Sequence, residues 1–203
     1  VYSRKKMNEL FEKVGPTFSK FQHEPYVEME IRLGKINRGS FDTNVGQQVF
    51  EKVLRGLHKY TGWEKVVKKT DVAYYKDDIR LVMDEDTDES VQVSKRKLVK
   101  IDHTLPDRPF DVRFSVAKET PCTQDVDEYL SAKKRTRESF IRKNLSIDMT
   151  VVSGNPTDLD SEEENSYQIE FEIIDPKKVS DNIALYNIIY KIQDVLDLGP
   201  FIK

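Results

Sequence analysis

Two short stretches carry carboxylates in pairs, at a spacing that suits metal or phosphate chemistry. In Val27-Glu28-Met29-Glu30-Ile31-Arg32-Leu33, alternation along an extended strand puts Glu28, Glu30 and Arg32 on one face and the four apolar residues on the other. Late in the chain the same design returns: Gln168, Glu170 and Glu172 share a face opposite Tyr167, Ile169, Phe171 and Ile173. Carboxylates two residues apart on a strand sit roughly 7 Å apart at Cα, close enough to share one hard cation through oxygen ligands. Two such strands side by side make a carboxylate cage. Either one alone is more often the ordinary wet face of a half-buried sheet, and it is the two matched pairs together that favour the cage.

Basic residues obey the same alternation elsewhere. Arg135 and Arg137 share a face with Phe140 on the other, and Arg80 sits between Ile79 and Leu81. Lys95 and Lys97 share a face until Leu98 and Val99 break the pattern, which leaves open which of the two lysines points inward. Asp111, Arg113 and Ser115 oppose Phe110, Val112, Phe114 and Val116, and Asp148 and Thr150 are set off in the same way by Ile147 and Met149. Acids and bases thus fall mostly on different strands, whereas solvated sheets mix signs along each strand to gain cross-strand pairs. Sorting of this kind suits a polyanion held between a metal cage and a basic wall.

The elements that must position these groups are an antiparallel sheet and three helices. Helical spacing of apolar residues predicts helices over about residues 7–14, over 44–60 (Val45, Val49, Val53, Leu54, Leu57) and over 179–196 (Ile183, Leu185, Ile188, Ile189, Ile192, Leu196). Between the second and third, period-two runs are separated by turn-rich pieces at 84–89 and 106–109, the pattern of antiparallel β. The class is α+β. If the apolar faces point outward against the helices, the ionisable faces line a closed barrel; alternation alone does not choose this over a sheet with a wet outer face. Residues 153–166, SGNPTDLDSEEENS, are acidic and almost without apolar anchors, so a mobile loop is expected there.

Composition narrows the function. A chain of 203 residues suits one domain, and its start at Val1 leads us to expect a fragment of a larger protein. Charged residues make up 34% of it but nearly cancel to a net −3, which argues against general binding of duplex DNA. No apolar run is long enough for a bilayer, so no membrane association and a soluble protein are expected. A single cysteine, Cys122, cannot form an internal disulfide, and His23, His58 and His103 have no zinc-ligand spacing. Both point to an intracellular protein without a structural metal.

The order and spacing of Glu28-Met-Glu30, Lys-Arg135-Thr-Arg137-Glu-Ser139, Ile-Asp148-Met-Thr150 and Ile-Glu170-Phe-Glu172-Ile resemble those of the triphosphate tunnel metalloenzymes, in particular the fungal and large-DNA-virus RNA triphosphatases. The likeness runs from about residue 26 to 174. It implies a closed antiparallel barrel with a polar, charged interior and helices outside, and metal-dependent removal of the γ-phosphate from triphosphate-ended RNA as the first step of mRNA capping. It further implies that Glu28, Glu30 and Glu172 bind Mg²⁺ or Mn²⁺ and that Glu170 supports the attacking water or a second metal. Arg80, Lys95 or Lys97, Arg135 and Arg137 would hold phosphate oxygens, Asp148 would orient its basic neighbours, and Asp111, Arg113 and Ser115 would complete the wall. Expected partners are triphosphate-ended RNA, NTPs, and a guanylyltransferase domain fused downstream, since no KxDG lysine motif occurs here. A viral member would act in the host cytoplasm or be packaged in the virion. Gln168 departs from the fungal pattern, which tends to a third glutamate there, and Arg32 replaces the lysine of the ExExK branch. Cys122 lies in no HCxxxxxR phosphate loop. A tripolyphosphatase or NTPase of the same fold, and a non-catalytic phosphate-binding barrel, remain the alternatives.

Overall fold

In the computed structural model, which describes residues 2–154 and 165–198, each stretch read as alternating forms a strand. The strands are β1 (Val27–Asn37), β2 (Ser40–Asp42), β3 (Lys65–Lys76), β4 (Ile79–Asp84), β5 (Ser90–His103), β6 (Asp111–Pro121), β7 (Ser131–Arg142), β8 (Leu145–Ser153) and β9 (Ser166–Ile173). Antiparallel pairing runs β1-β6-β5-β4-β3-β7-β8-β9 and returns to β1, so eight strands close a barrel and β2 merely extends the end of β1 as a hairpin. Closure decides between the two readings that alternation left open. Met29, Ile31, Val112, Phe114, Ile147 and Phe171 join Leu10, Val14, Phe18, Ile189 and Ile192 of the helices in one core outside the barrel. Each such side chain contributes about 1.5–3 kcal/mol by leaving water. The ionisable faces are therefore the inner wall.

Helix α1 (Tyr2–Phe21) is longer than the predicted 7–14 because Met7, Leu10, Val14 and Phe18 keep one buried face across Gly15 and Pro16. Burial of that stripe outweighs the hydrogen bond that Pro16 cannot make. Helix α2 (Gln47–Lys59) begins later than residue 44, since Gly46 lies at φ 84, a left-handed conformation that a helix does not continue. It buries Phe50, Val53 and Leu57, and Trp63 Nε1 donates to the Leu57 carbonyl at 2.8 Å. Helix α3 (Asn182–Leu196) starts after the 3-10 turn Pro176–Lys178, where the Asp181 side chain accepts from the Ala184 amide. Ile183, expected on its apolar face, is 71% exposed. Of the predicted acidic loop, residues 155–164 lie outside the described residues. Among the described residues no helix is long and apolar enough to cross a membrane.

Two irregularities shape the interior. Where Leu98 and Val99 broke the alternation, the β5–β6 register shifts between Lys97 and Val99. This bulge puts Lys97 opposite Ala117 and Lys100 opposite Ser115, both positions on the inner face. Gly34 ends the inner row of β1, and a Cβ there would collide with the Asp42 carbonyl and the Phe41 ring. Only glycine lets the β1–β2 hairpin fold over this end of the barrel.

Candidate active site

Register brings the two carboxylate pairs together: Glu30 stands opposite Glu172, and Arg32 opposite Glu170. On the far side of β9, Asp148 stands opposite Glu170 and Ser146 opposite Glu172. Neighbouring side chains on one face of such a ladder lie roughly 4.5–5.5 Å apart at Cβ, so four acids crowd one wall. Arg32 holds it together, with Nε donating to Glu30 at 3.0 Å and Nη2 at 3.0 Å from Glu170. Arg137 closes over it from β7, donating from Nε to Thr150 Oγ1 at 2.9 Å with Nη2 3.5 Å from Glu170 and Nη1 3.8 Å from Asp148. Ser146 donates to Asp148 at 2.6 Å. Beside Arg137, Arg135 grips Asp71 of β3 with two hydrogen bonds, 2.7 and 3.0 Å.

A second cluster occupies the β1–β6–β5–β4 side. Arg80 pairs with Glu119, and Lys95 lies 3.4 Å from Glu119. Lys95 Nζ is also 2.9 Å from Glu28 Oε2, an ion contact without the alignment of a hydrogen bond. Lys95 and Lys97 both face inward, which answers the open choice between them: Lys95 is in the acidic cluster, while Lys97 is exposed toward one mouth. Arg113 stands at that mouth too, on Asp102. Asp111 is a correction. Its carboxylate accepts from the Ile36 amide at 2.9 Å and the Leu105 amide at 3.4 Å, so it braces backbone at the strand ends and is not part of a phosphate-facing wall. Gln168 remains on the inner face beside Thr150, its amide donating to Ser166.

Burial and crowding set the charge states. Burial, then the Glu30 charge, pushes Glu28 up to about 8, against the pull of Lys95, and the nearby Glu119 carboxylate adds to the rise. Burial and then the Asp148 charge push Glu172 up to about 7. Burial also penalises the Glu30 charge, but Arg32 and Lys95 more than offset it and hold Glu30 below its ordinary value. Desolvation works against Lys95, Arg32 and Arg137 as well, yet the facing carboxylates keep each pKa raised. The interior thus combines fixed cations with two acids, Glu28 and Glu172, that hold their protons more tightly than an exposed carboxylate does.

Glu119 and Asp71 escaped the sequence reading. Extending the β6 alternation past Ser115 reaches Ala117 and Glu119, a signal that was present; β3, reading KVVKKTDVAYYK, alternates too poorly to single out Asp71. Among the described residues no three acid, histidine or cysteine side chains converge tightly enough to close a metal cage, because Glu28 turns to Lys95 and Glu30 to Arg32. The donor set itself fits a hard divalent cation. Glu30 and Glu172 are oxygen donors facing each other across β1 and β9, with Glu28 two residues along β1, and the raised pKa of Glu28 and Glu172 marks crowded negative charge that a cation would relieve.

An eight-stranded antiparallel barrel with helices outside and opposed charges inside is the triphosphate tunnel architecture. The S. pombe RNA triphosphatase Pct1 has the same fold, with a TM-score of 0.77 and 16% identity over 96% of this chain and 93% of that one. Pct1 in complex with the Spt5 CTD gives 0.76. The sequence profile of the family described as "mRNA capping enzyme, beta chain" matches residues 37–187, and the chain belongs to that family. It is also 30% identical over 99 residues to an mRNA-capping enzyme subunit beta of Cryptococcus neoformans var. neoformans serotype D, a match spanning 48% of this chain and 25% of that protein.

Proposed function

We propose that this chain removes the γ-phosphate from triphosphate-ended RNA, leaving a diphosphate end, as the first step of mRNA capping. The observation that carries the reading is the pairing of the two ExE strands, Glu30 opposite Glu172, inside a closed barrel whose other strands supply Arg80, Lys95, Arg135 and Arg137. Glu28, Glu30 and Glu172 would hold a divalent cation, Mg²⁺ or Mn²⁺. When bound, it would neutralise charge on the terminal phosphate and acidify a water.

The chain's own residues do the rest. Arg135 and Arg137 present planar forks that match phosphate oxygens two at a time, already oriented by Asp71, Thr150 and Glu170. Arg80 and Lys95, held by Glu119, supply charge on the other side. Glu170, paired with Arg32, stays ready to accept a hydrogen bond from attacking water, and Asp148 orients Arg137. Because the donors are fixed before substrate arrives, little reorganisation accompanies charge development. The diphosphate end is the acceptor that guanylyl transfer needs, so the proposed partner is a guanylyltransferase, fused or separate.

The test is phosphate release from γ-labelled triphosphate RNA and from tripolyphosphate, with and without Mg²⁺ or Mn²⁺. Release from RNA that depends on metal and disappears in Glu30→Ala is expected. Binding of triphosphate without release under any metal would sink the catalytic reading in favour of a binding barrel.

A further inference from the structure

The two mouths of the barrel differ. At one end a cavity of about 410 Å³ opens past Glu30 and Arg32 onto Lys97, Lys100, Arg113 and Phe41. Among the described residues neither Lys97 nor Lys100 lies within 4.0 Å of a carboxylate oxygen, unlike Lys95 on the same strand, and Lys100 acts on Asp102 only at longer range. Both face inward only because the bulge adds a residue between them; unbroken alternation would turn Lys100 toward the apolar outer side where Val99 and Ile101 pack. Beside them Arg113 stacks on the Phe41 ring, 4.6 Å from its centroid, and is fixed by two hydrogen bonds to Asp102 at 2.7 and 2.9 Å. The opposite end also carries basic groups, Lys65 and Lys69 on the inner face of β3, but its stacked pair, Arg142 on Tyr60, lies on the outward face of β7 with Phe140. There Lys69 is 4.0 Å from Asp84, and Ser139 and Ser146 take the inner positions beyond Asp148 and Glu172.

From this we infer that the RNA chain leaves the barrel through the Phe41 mouth, with Lys97 and Lys100 holding the phosphodiesters that follow the 5′ end and the pinned Arg113–Phe41 pair stacking the first base. The inference rests on the proposed function and gives the tunnel a direction. Unpaired lysines suit a flexible polyanion, because contact with successive phosphates releases counterions without first breaking an internal pair. A planar guanidinium on an aromatic ring is a surface on which unstacked RNA bases settle. A free triphosphate has neither a second phosphodiester nor a stacked base and would not use this mouth.

Binding and turnover test it separately. A short single-stranded RNA with a 5′-diphosphate end, which this reaction does not consume, is titrated by fluorescence anisotropy against wild type, Lys100→Ala and Lys97→Ala/Lys100→Ala across a range of salt. The slope of log affinity on log salt should fall by about 0.7 for the single variant and about 1.4 for the double. Lys100→Ala should also lower kcat/KM several-fold for triphosphate RNA and leave that for tripolyphosphate unchanged. An unchanged salt slope, or an equal loss on RNA and tripolyphosphate, overturns the inference. Wild type that binds RNA with this lysine dependence but releases no phosphate would instead refute the proposed function and leave the mouth standing.

Discussion

Glu172→Gln in metal-free protein gives the sharpest view of the acidic wall. Burial and the neighbouring Asp148 raise Glu172 from 4.5 to about 7. The folded state therefore binds its proton more tightly than the unfolded chain does. Between those values the native state holds more protons, so stability falls as pH rises through the window and is flat above it. At about 1.4 kcal/mol per pH unit the loss is about 3 kcal/mol, or roughly 6–12 °C in melting temperature for a chain of this size. The amide keeps the shape and cannot ionise. Urea unfolding of chelator-treated wild type and variant at about pH 5 and about pH 8.5 should show wild type losing about 3 kcal/mol more than the variant. Some pH dependence persists in the variant, since Glu28 is raised to about 8. Parallel pH profiles for the two proteins would show that Glu172 carries no crowding strain, and the case for a cation beside it would lose its electrostatic support.

Other expectations follow from single contacts. Arg135→Ala should cut turnover by about 10²–10³, the range for one fixed donor to a developing charge, and Arg135→Lys should fall between it and wild type; full recovery of either on raising the metal concentration would move this residue out of the phosphate grip. Glu119→Gln should release Arg80 and Lys95 and raise KM with little change in circular dichroism, so an unaltered KM would make Glu119 a bystander. Phe171→Ala, at a fully buried position between barrel and helices, should cost about 3–5 kcal/mol in urea unfolding, and a cost under 1 kcal/mol would contradict the outward core.

Much of the site was legible because strand alternation is a strict code: once Glu28 and Glu30 share a face, so must Arg32, and the same logic placed Glu170 with Glu172 and Arg135 with Arg137. Which strands become neighbours is not local information, so the opposition of Glu30 and Glu172 had to come from the fold. The same limit hid the role of Glu119, whose importance lies in Arg80 and Lys95 on two other strands. Asp111 misled for a related reason: its face was read correctly, but its position at a strand end makes backbone amides its nearest donors. The break at Leu98 and Val99, which left the inward lysine open, is the bulge that turns Lys97 and Lys100 inward together. Helix bounds were missed at Gly46 and Asp181, where backbone geometry and capping set the starts of α2 and α3, and at Pro16, which the buried stripe of α1 carries the helix through.

Closure of the ring by β1 (Val27–Asn37) against β9 (Ser166–Ile173), and the packing of Phe11 of α1 on Tyr186 of α3 at 5.6 Å between ring centroids, also fix a timetable for biosynthesis. The segments made first are completed last. As the chain emerges from a ribosome, Met29, Ile31 and Leu33 have β6 alongside as soon as that strand appears, but their outer cover and second neighbour wait until the last strand and helix are out. Through that interval the nascent protein displays an apolar stripe and an open strand edge, the combination that invites aggregation. A pause in elongation while β1 is exposed and β9 is still to be made should therefore raise the aggregated fraction.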